Sequence, residues 1–218
     1  MKKKESSMKT FAAILMLLLL AVTAAPTFGG VIAYTNETTF KAAIAPGYYQ
    51  EDFDYAPWTT CVNPAIPSPQ SFGPSGGWAY QVSAPSGLSG QVLPGGGGAV
   101  GDYQLGEGFT ATFTGTLPTA VGGIFWTTDL NGNPVNGGTI YITLANLETY
   151  TYTDTSDWDA FTGFISDSPI ANMRVTTGGN WATMDHVIVG AVPEPATLAF
   201  LGLGGIGMLA RRRRHRTQ

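Results

Sequence analysis

Four carboxylates are the first candidates for chemistry. Glu51, Asp52 and Asp54 fall within one acidic-aromatic stretch, and Asp185 lies in the last apolar stretch before the tail. A hard cation such as calcium takes about six to eight oxygens, and these side chains with nearby backbone carbonyls could supply them as a Ca2+ site. Solvated edge carboxylates are the competing reading. Asp129-Leu130-Asn131-Gly132-Asn133 has the oxygen spacing that opens an EF-hand loop, yet Ile140 stands where the closing bidentate glutamate belongs. Asn-Gly is a strong hairpin signal, so this stretch reads as a turn.

Aromatic rings are the second candidates, because a ring face stacks on a sugar face. Trp58 sits in an irregular stretch and Trp158 sits between Asp157 and Asp159, which makes them the tryptophans to expect at the surface. Trp78, Trp126 and Trp181 fall in strand-like segments and read mainly as core. Acid–base chemistry has a weaker basis. A glycosidase needs two carboxylates at a set separation, and no spacing singles out a pair. His186 is the one histidine before the tail, and a lone strand histidine is usually a hydrogen-bonded structural residue. No Gly-x-Ser-x-Gly elbow is present. The expectation is a protein that is not an enzyme.

Charge is sorted along the chain. Lys2, Lys3, Lys4 and Lys9 open it, and Arg211, Arg212, Arg213, Arg214 and Arg216 close it. Within residues 25–191 only Lys41 and Arg174 are basic, against thirteen acids, a net charge of −11. That balance repels nucleic-acid backbones, so no nucleic-acid partner is expected. Cys61 is the only cysteine, which excludes an intramolecular disulfide and a cysteine-ligated zinc site. The N-terminal lysines, the apolar run from Phe11 to Val22 and the small residues Thr23, Ala24 and Ala25 make a secretory signal peptide, with cleavage expected after Ala24.

The tail has three parts. Pro193-Glu194-Pro195 is stiff and non-helical. Ala196 to Ala210 is apolar and carries Gly202, Gly204, Gly205 and Gly207, and the arginine cluster follows. As a helix the apolar run would be about 22 Å long, short of the roughly 30 Å hydrocarbon core unless Val192 and arginine stems extend it. The arginines would stay cytoplasmic, with everything before Pro193 outside. Val192-Pro193-Glu194-Pro195, the glycine-bearing run and the terminal arginines, in that order, resemble the PEP-CTERM sorting signal of Gram-negative bacteria. The resemblance implies recognition and cleavage near Pro193-Glu194-Pro195 by an exosortase-type membrane protease. It further implies passage through the inner membrane and release to the cell surface or an exopolysaccharide or biofilm matrix. It covers residues 192–218 and transfers no catalytic residue.

Between the two ends, period-two patterns dominate. Phe109, Ala111 and Phe113 alternate with threonines, as do Ile140, Ile142 and Leu144, and Tyr150 and Tyr152; Ala171, Met173 and Val175 alternate with Asn172, Arg174 and Thr176. Such alternation predicts antiparallel sheets with one buried face. Asn36 predicts a capped short helix from Glu37 to about Ala45. Residues 56–77 read as a long irregular loop, and about nine or ten strands are expected. The fold class is all-β, an antiparallel β-sandwich of jelly-roll type. It is flanked by an N-terminal signal peptide (1–24) and a C-terminal transmembrane sorting helix (within 192–218), leaving 25–191 as the ectodomain. The ectodomain also resembles β-sandwich domains found ahead of PEP-CTERM tails, in Ala120-Val121-Gly122-Gly123, Phe161-Thr162-Gly163-Phe164 and the terminal strand from Met184 to Gly190. That pattern has asparagine where His186 follows Asp185. The functional expectation is a glycan- or exopolysaccharide-associated binding or structural module. A polysaccharide-modifying hydrolase and a purely structural matrix protein are the alternatives.

Overall fold

The chain opens with β1 (Val31–Tyr34), α1 (Glu37–Ala43) and β2 (Tyr49–Glu51). Next come β3 (Gln70–Phe72), β4 (Tyr80–Ser83), β5 (Leu88–Val92) and β6 (Gly98–Asp102). The second half adds β7 (Phe109–Phe113), β8 (Ala120–Thr128), β9 (Thr139–Leu144) and β10 (Thr149–Thr153). β11 (Phe161–Ser166), β12 (Asn172–Thr177) and β13 (Trp181–Gly190) complete it. This computed structural model describes residues 30–54, 66–74, 77–92, 97–129, 131–145, 147–154 and 160–193. The predicted signal peptide, the apolar tail run and its arginines lie outside the described residues.

All pairings are antiparallel, and they form two sheets. One runs β1-β11-β8-β13-β6-β5, with β2 also paired to β13; the other runs β10-β9-β12-β7-β4-β3. From β6 onward the strands change sheet at almost every connection. The inner orders β6-β13-β8-β11 and β7-β12-β9-β10 are those of a jelly roll. The sandwich predicted from alternation is the one observed. The inward residues of both sheets, among them Val82, Phe109, Phe125, Ile142, Phe164, Val175 and Met184, form one core.

The thirteen strands among the described residues exceed the nine or ten expected, because short strands leave little periodicity to read. β3 lies inside the stretch read as loop. The acidic-aromatic segment forms only the three residues of β2, because Phe53 takes a left-handed backbone (φ 53°) that turns the chain out of the sheet.

The helix is capped as its sequence indicates: the Asn36 carboxamide oxygen accepts the Thr39 amide at 3.0 Å. α1 ends at Ala43, two residues sooner than expected, with Ile44 extended. Its buried Phe40 packs with Phe161, Ile165, Ala120 and Ile188 in a second apolar cluster. Gly163 makes the room, since a Cβ there would stand 2.8 Å from the Phe40 ring.

Buried acids close the loops at the sandwich end. Asp102, wholly buried at the end of β6, accepts the Gly108 amide at 2.7 Å and the Ala182 amide at 2.8 Å. Gly108 itself has φ +70°, and a side chain there would collide with the Val175 carbonyl. Asp154, 1% exposed, accepts the Thr127 amide at 2.7 Å. Because Asp102→Ala strands two buried amides, it should lower stability by about 3 kcal/mol. A shift of the urea midpoint with an unchanged slope checks this.

Candidate functional site

β13 carries one irregularity, and the predicted acids gather around it. β8 pairs with β13 on one side, with Asp185 opposite Ile124 and Ile188 opposite Gly122, so the chain bulges between them. On its other side β13 pairs first with β6, at Thr183 and Met184, and then with β2, at Val187 to Val189. The bulge therefore sits where the partner strand changes. His186 occupies it with a left-handed backbone (φ 52°).

Three elements deliver ionisable groups here: α1 brings Glu37 and Lys41, the end of β2 brings Asp52 and Asp54, and β13 brings Asp185 and His186. His186 Nε2 lies 2.9 Å from Glu37 Oε1, and its Nδ1 lies 2.6 Å from Asp52 Oδ1. Lys41 pairs with Glu37 one helical turn away and donates to Gln50 Oε1 at 2.8 Å. Gln50 Nε2 in turn donates to both Asp52 oxygens at 3.1 Å. Partial burial pushes Glu37 up, but the hydrogen bonds from Lys41 and His186 outweigh it and hold its carboxyl below the usual range. Burial pushes Asp185 up to about 7, and the charges of Asp52 and Asp54 add to the rise against the His186 amide and ring, which lower it. The result is an ion-pair network that fastens α1 to β2 and β13.

Asp52, Asp54 and Asp185 are thus brought within electrostatic reach of one another. Glu51 is not brought to them. It is 2% exposed and turned inward, accepting the Tyr49 hydroxyl and, at 3.0 Å, the Phe53 amide. Among the described residues no group of three or more His, Cys, Asp or Glu side chains is arranged to hold a metal ion. Asp129 heads a turn, where its Oδ1 accepts the Asn131 and Asn133 amides at 2.8 and 2.9 Å.

Of the rings, Trp58 and Trp158 lie outside the described residues, and Trp126 is core. Trp181 is half-buried and donates its indole N–H to the Tyr103 carbonyl at 3.2 Å. Tyr103 and Tyr141, each 37% exposed, are surface rings that sequence reasoning passed over. Tyr141 was legible, since it alternates with Ile140 and Ile142. Tyr103, in a loop, had no such signal.

The entry to the tail is anchored. The Ala45 amide donates to the Ala191 carbonyl at 2.7 Å, and the Val192 amide donates to Thr119 Oγ1 at 3.0 Å. Of the predicted sorting residues, Val192 and Pro193 are described; Glu194, Pro195 and Arg211, Arg212, Arg213 and Arg214 lie outside. Residues 191–214 match the PEP-CTERM protein-sorting motif. The chain carries a PEP-CTERM sorting motif. It marks the protein as exported, and because it spans only the C-terminal segment it bears on sorting and not on the sandwich's ligand.

No curated protein matches the chain. Solved structures similar to it include the C-terminal CBM6 of LamC, a laminarinase from Zobellia galactanivorans, at 12% identity over 66% of this chain and 98% of that one, TM-score 0.31. Another is carbohydrate-binding module CBM6cm-2 from Cellvibrio mixtus lichenase 5A, at 11% identity over 65% and 95%, TM-score 0.29. A third is a family 6 carbohydrate-binding module, at 20% identity over 47% and 81%, TM-score 0.30. Likenesses this distant carry no argument about what the chain binds.

Two outcomes follow from the bulge network. Burial pushes the folded Asp185 from its ordinary 3.8 up to about 7, so folding should take up a proton between those limits. Stability present at acidic pH should fall as pH rises through that window, and Asp185→Asn should flatten the fall in a series of Tm measurements. Lys41 and the side-chain contacts of Gln50 and His186 already tie these carboxylates together, so stripping divalent ions with EDTA should leave Tm unchanged. A drop in Tm would instead support the calcium site expected at Glu51, Asp52, Asp54 and Asp185.

Proposed function

We propose that the protein is a non-enzymatic, glycan-associated module exported to the cell surface or extracellular matrix. The observation that carries this reading is positional: the PEP-CTERM motif starts at residue 191, directly after β13 ends at Gly190. The β-sandwich is then the cargo, and the tail is its address. An exosortase-type protease acting near Pro193-Glu194-Pro195 would act on a chain held in the inner membrane by the apolar run. A cut beyond Val192 would leave the sandwich whole, because Val192 is the last of the described residues hydrogen-bonded to it, at Thr119.

Glycan association is supported by the surface chemistry of the sandwich. Hydroxyl and amide side chains dominate the outer face of the six-stranded sheet. Carbohydrates are recognised by such groups together with aromatic faces. The reading assigns Trp58 and Trp158 as further stacking rings.

Intact mass of the exported protein tests the address. The expected mass lacks residues 1–24 and the arginine tail, and the joint change Pro193→Ala and Glu194→Ala should restore the tail. Retention of the arginines in the unaltered protein would make the tail an uncleaved anchor. Co-sedimentation with the host's exopolysaccharide tests the ligand class, and a protein that stays in the supernatant would overturn it.

A further inference from the structure

We propose that the outer face of the six-stranded sheet is the polysaccharide-binding surface and that it selects a carboxylate-bearing polymer through Arg174 and Tyr141. This rests on the glycan reading above and adds the face and the charge of the ligand to it.

Strand register defines the face. Thr149, Thr151 and Thr153 project from β10; Thr139, Tyr141 and Thr143 project from β9. Asn172, Arg174 and Thr176 follow on β12, then Thr110 and Thr112 on β7. Gln81 and Ser83 on β4 and Ser71 on β3 complete the sheet. Threonine is a good strand former, which accounts for the residue type. It does not account for the charge. Solvated surfaces usually mix acids and bases, and the sandwich holds thirteen acids. None of them stands at an outward position of these six strands, and Arg174 is the one charged residue there.

Arg174 is also available. The sandwich has two bases, and the other, Lys41, is paired with Glu37 on the opposite sheet. Arg174 is exposed, and one guanidinium nitrogen donates to the Glu107 carbonyl at 3.3 Å, which orients the side chain. Among the described residues its other donors are left for a carboxylate, which a guanidinium grips through two parallel bonds.

The nearby acids are already engaged. Glu107 accepts the Ser86 amide and hydroxyl, each at 3.0 Å, and Glu148 accepts the Tyr150 hydroxyl at 3.0 Å. Charges beyond a Debye length of about 8 Å are screened at physiological salt. The negative remainder of the domain repels a polyanion, so binding would be confined to the face that carries Arg174.

Tyr141 supplies the stacking surface. It lies opposite Thr176 on β12, two residues along from Arg174, so Arg174 is its diagonal neighbour. That separation is roughly 7–8 Å, which places ring and guanidinium under adjoining parts of one polymer. The surrounding side chains are set for hydrogen bonding: Thr143 and Thr149 hydroxyls meet at 2.9 Å, and Gln81 donates to Ser71 at 3.2 Å.

Affinity electrophoresis of the exported protein tests the proposal, with EDTA present and with alginate (a polyuronate), carboxyl-reduced alginate or no polymer in the gel. Alginate should retard the protein more than its reduced form, and added salt should weaken the effect. Arg174→Gln should lower affinity for alginate about tenfold, equivalent to about 1.4 kcal/mol. Arg174→Lys should fall between, and Tyr141→Ala should weaken binding to both polymers. Both positions are exposed, and unchanged Tm values would show that the variants fold. Equal retardation by the two polymers, or full binding by Arg174→Gln, would overturn this face and leave glycan association standing. No retardation by either polymer, together with no co-sedimentation with host exopolysaccharide, would overturn both.

Discussion

The strand β13 is the member on which the rest depends. It pairs with β8 along nearly its whole length, and on its other edge β6 and β2 share it end to end. Such a strand must satisfy hydrogen bonds on both sides while filling the core on one face and meeting α1 on the other. A strict two-residue period cannot do this, because β6 and β2 require different registers. The bulge resolves the conflict. Ala182 and Met184 face the core before it, Val187 and Val189 face the core after it, and Ile188 turns to the α1 cluster.

The charged network is a consequence of that bulge. An extra residue in a strand leaves a side chain that belongs to neither face, and here that residue is His186. Set between Glu37 and Asp52, it draws the helix and the short β2 onto the bulge. The aspartates of this region therefore serve the architecture. Burial is what raises Asp185, with the charges of Asp52 and Asp54 adding to it, and Asp102 follows the same logic, with burial pushing it up to about 6. Charge that the domain cannot neutralise with its two bases is kept in loops and strand ends.

The two sheets consequently present different outer faces. The seven-stranded sheet is covered at one end by α1, with Phe40 entering where Gly163 leaves space. The six-stranded sheet has no such cover among the described residues, and its outward positions are hydroxyls and amides. The outward positions of its six strands are uncharged save for Arg174. The face is suited to an extended partner that lies along the strands, which is the form of a linear polymer.

Much of this was written in the chain. Alternation of apolar residues with threonine identified β7, β9, β10 and β12 nearly to the residue, because burying one face of a sheet leaves a period of two. Asn36 marked the helix start through its cap, and the tail motif was readable because its three parts stand contiguous and in fixed order in the sequence. What the sequence did not carry was partnership. Glu51, Asp52 and Asp54 are neighbours in the chain, yet Phe53 turns the backbone so that Glu51 goes inward and Asp52 meets His186. Their separation, and the gathering of Asp185 and Glu37 from distant segments, depends on β2 pairing with β13 through non-local hydrogen bonds. The carboxylate-free face was likewise invisible, since six strands must be assembled before one can see that none of them turns an acid outward.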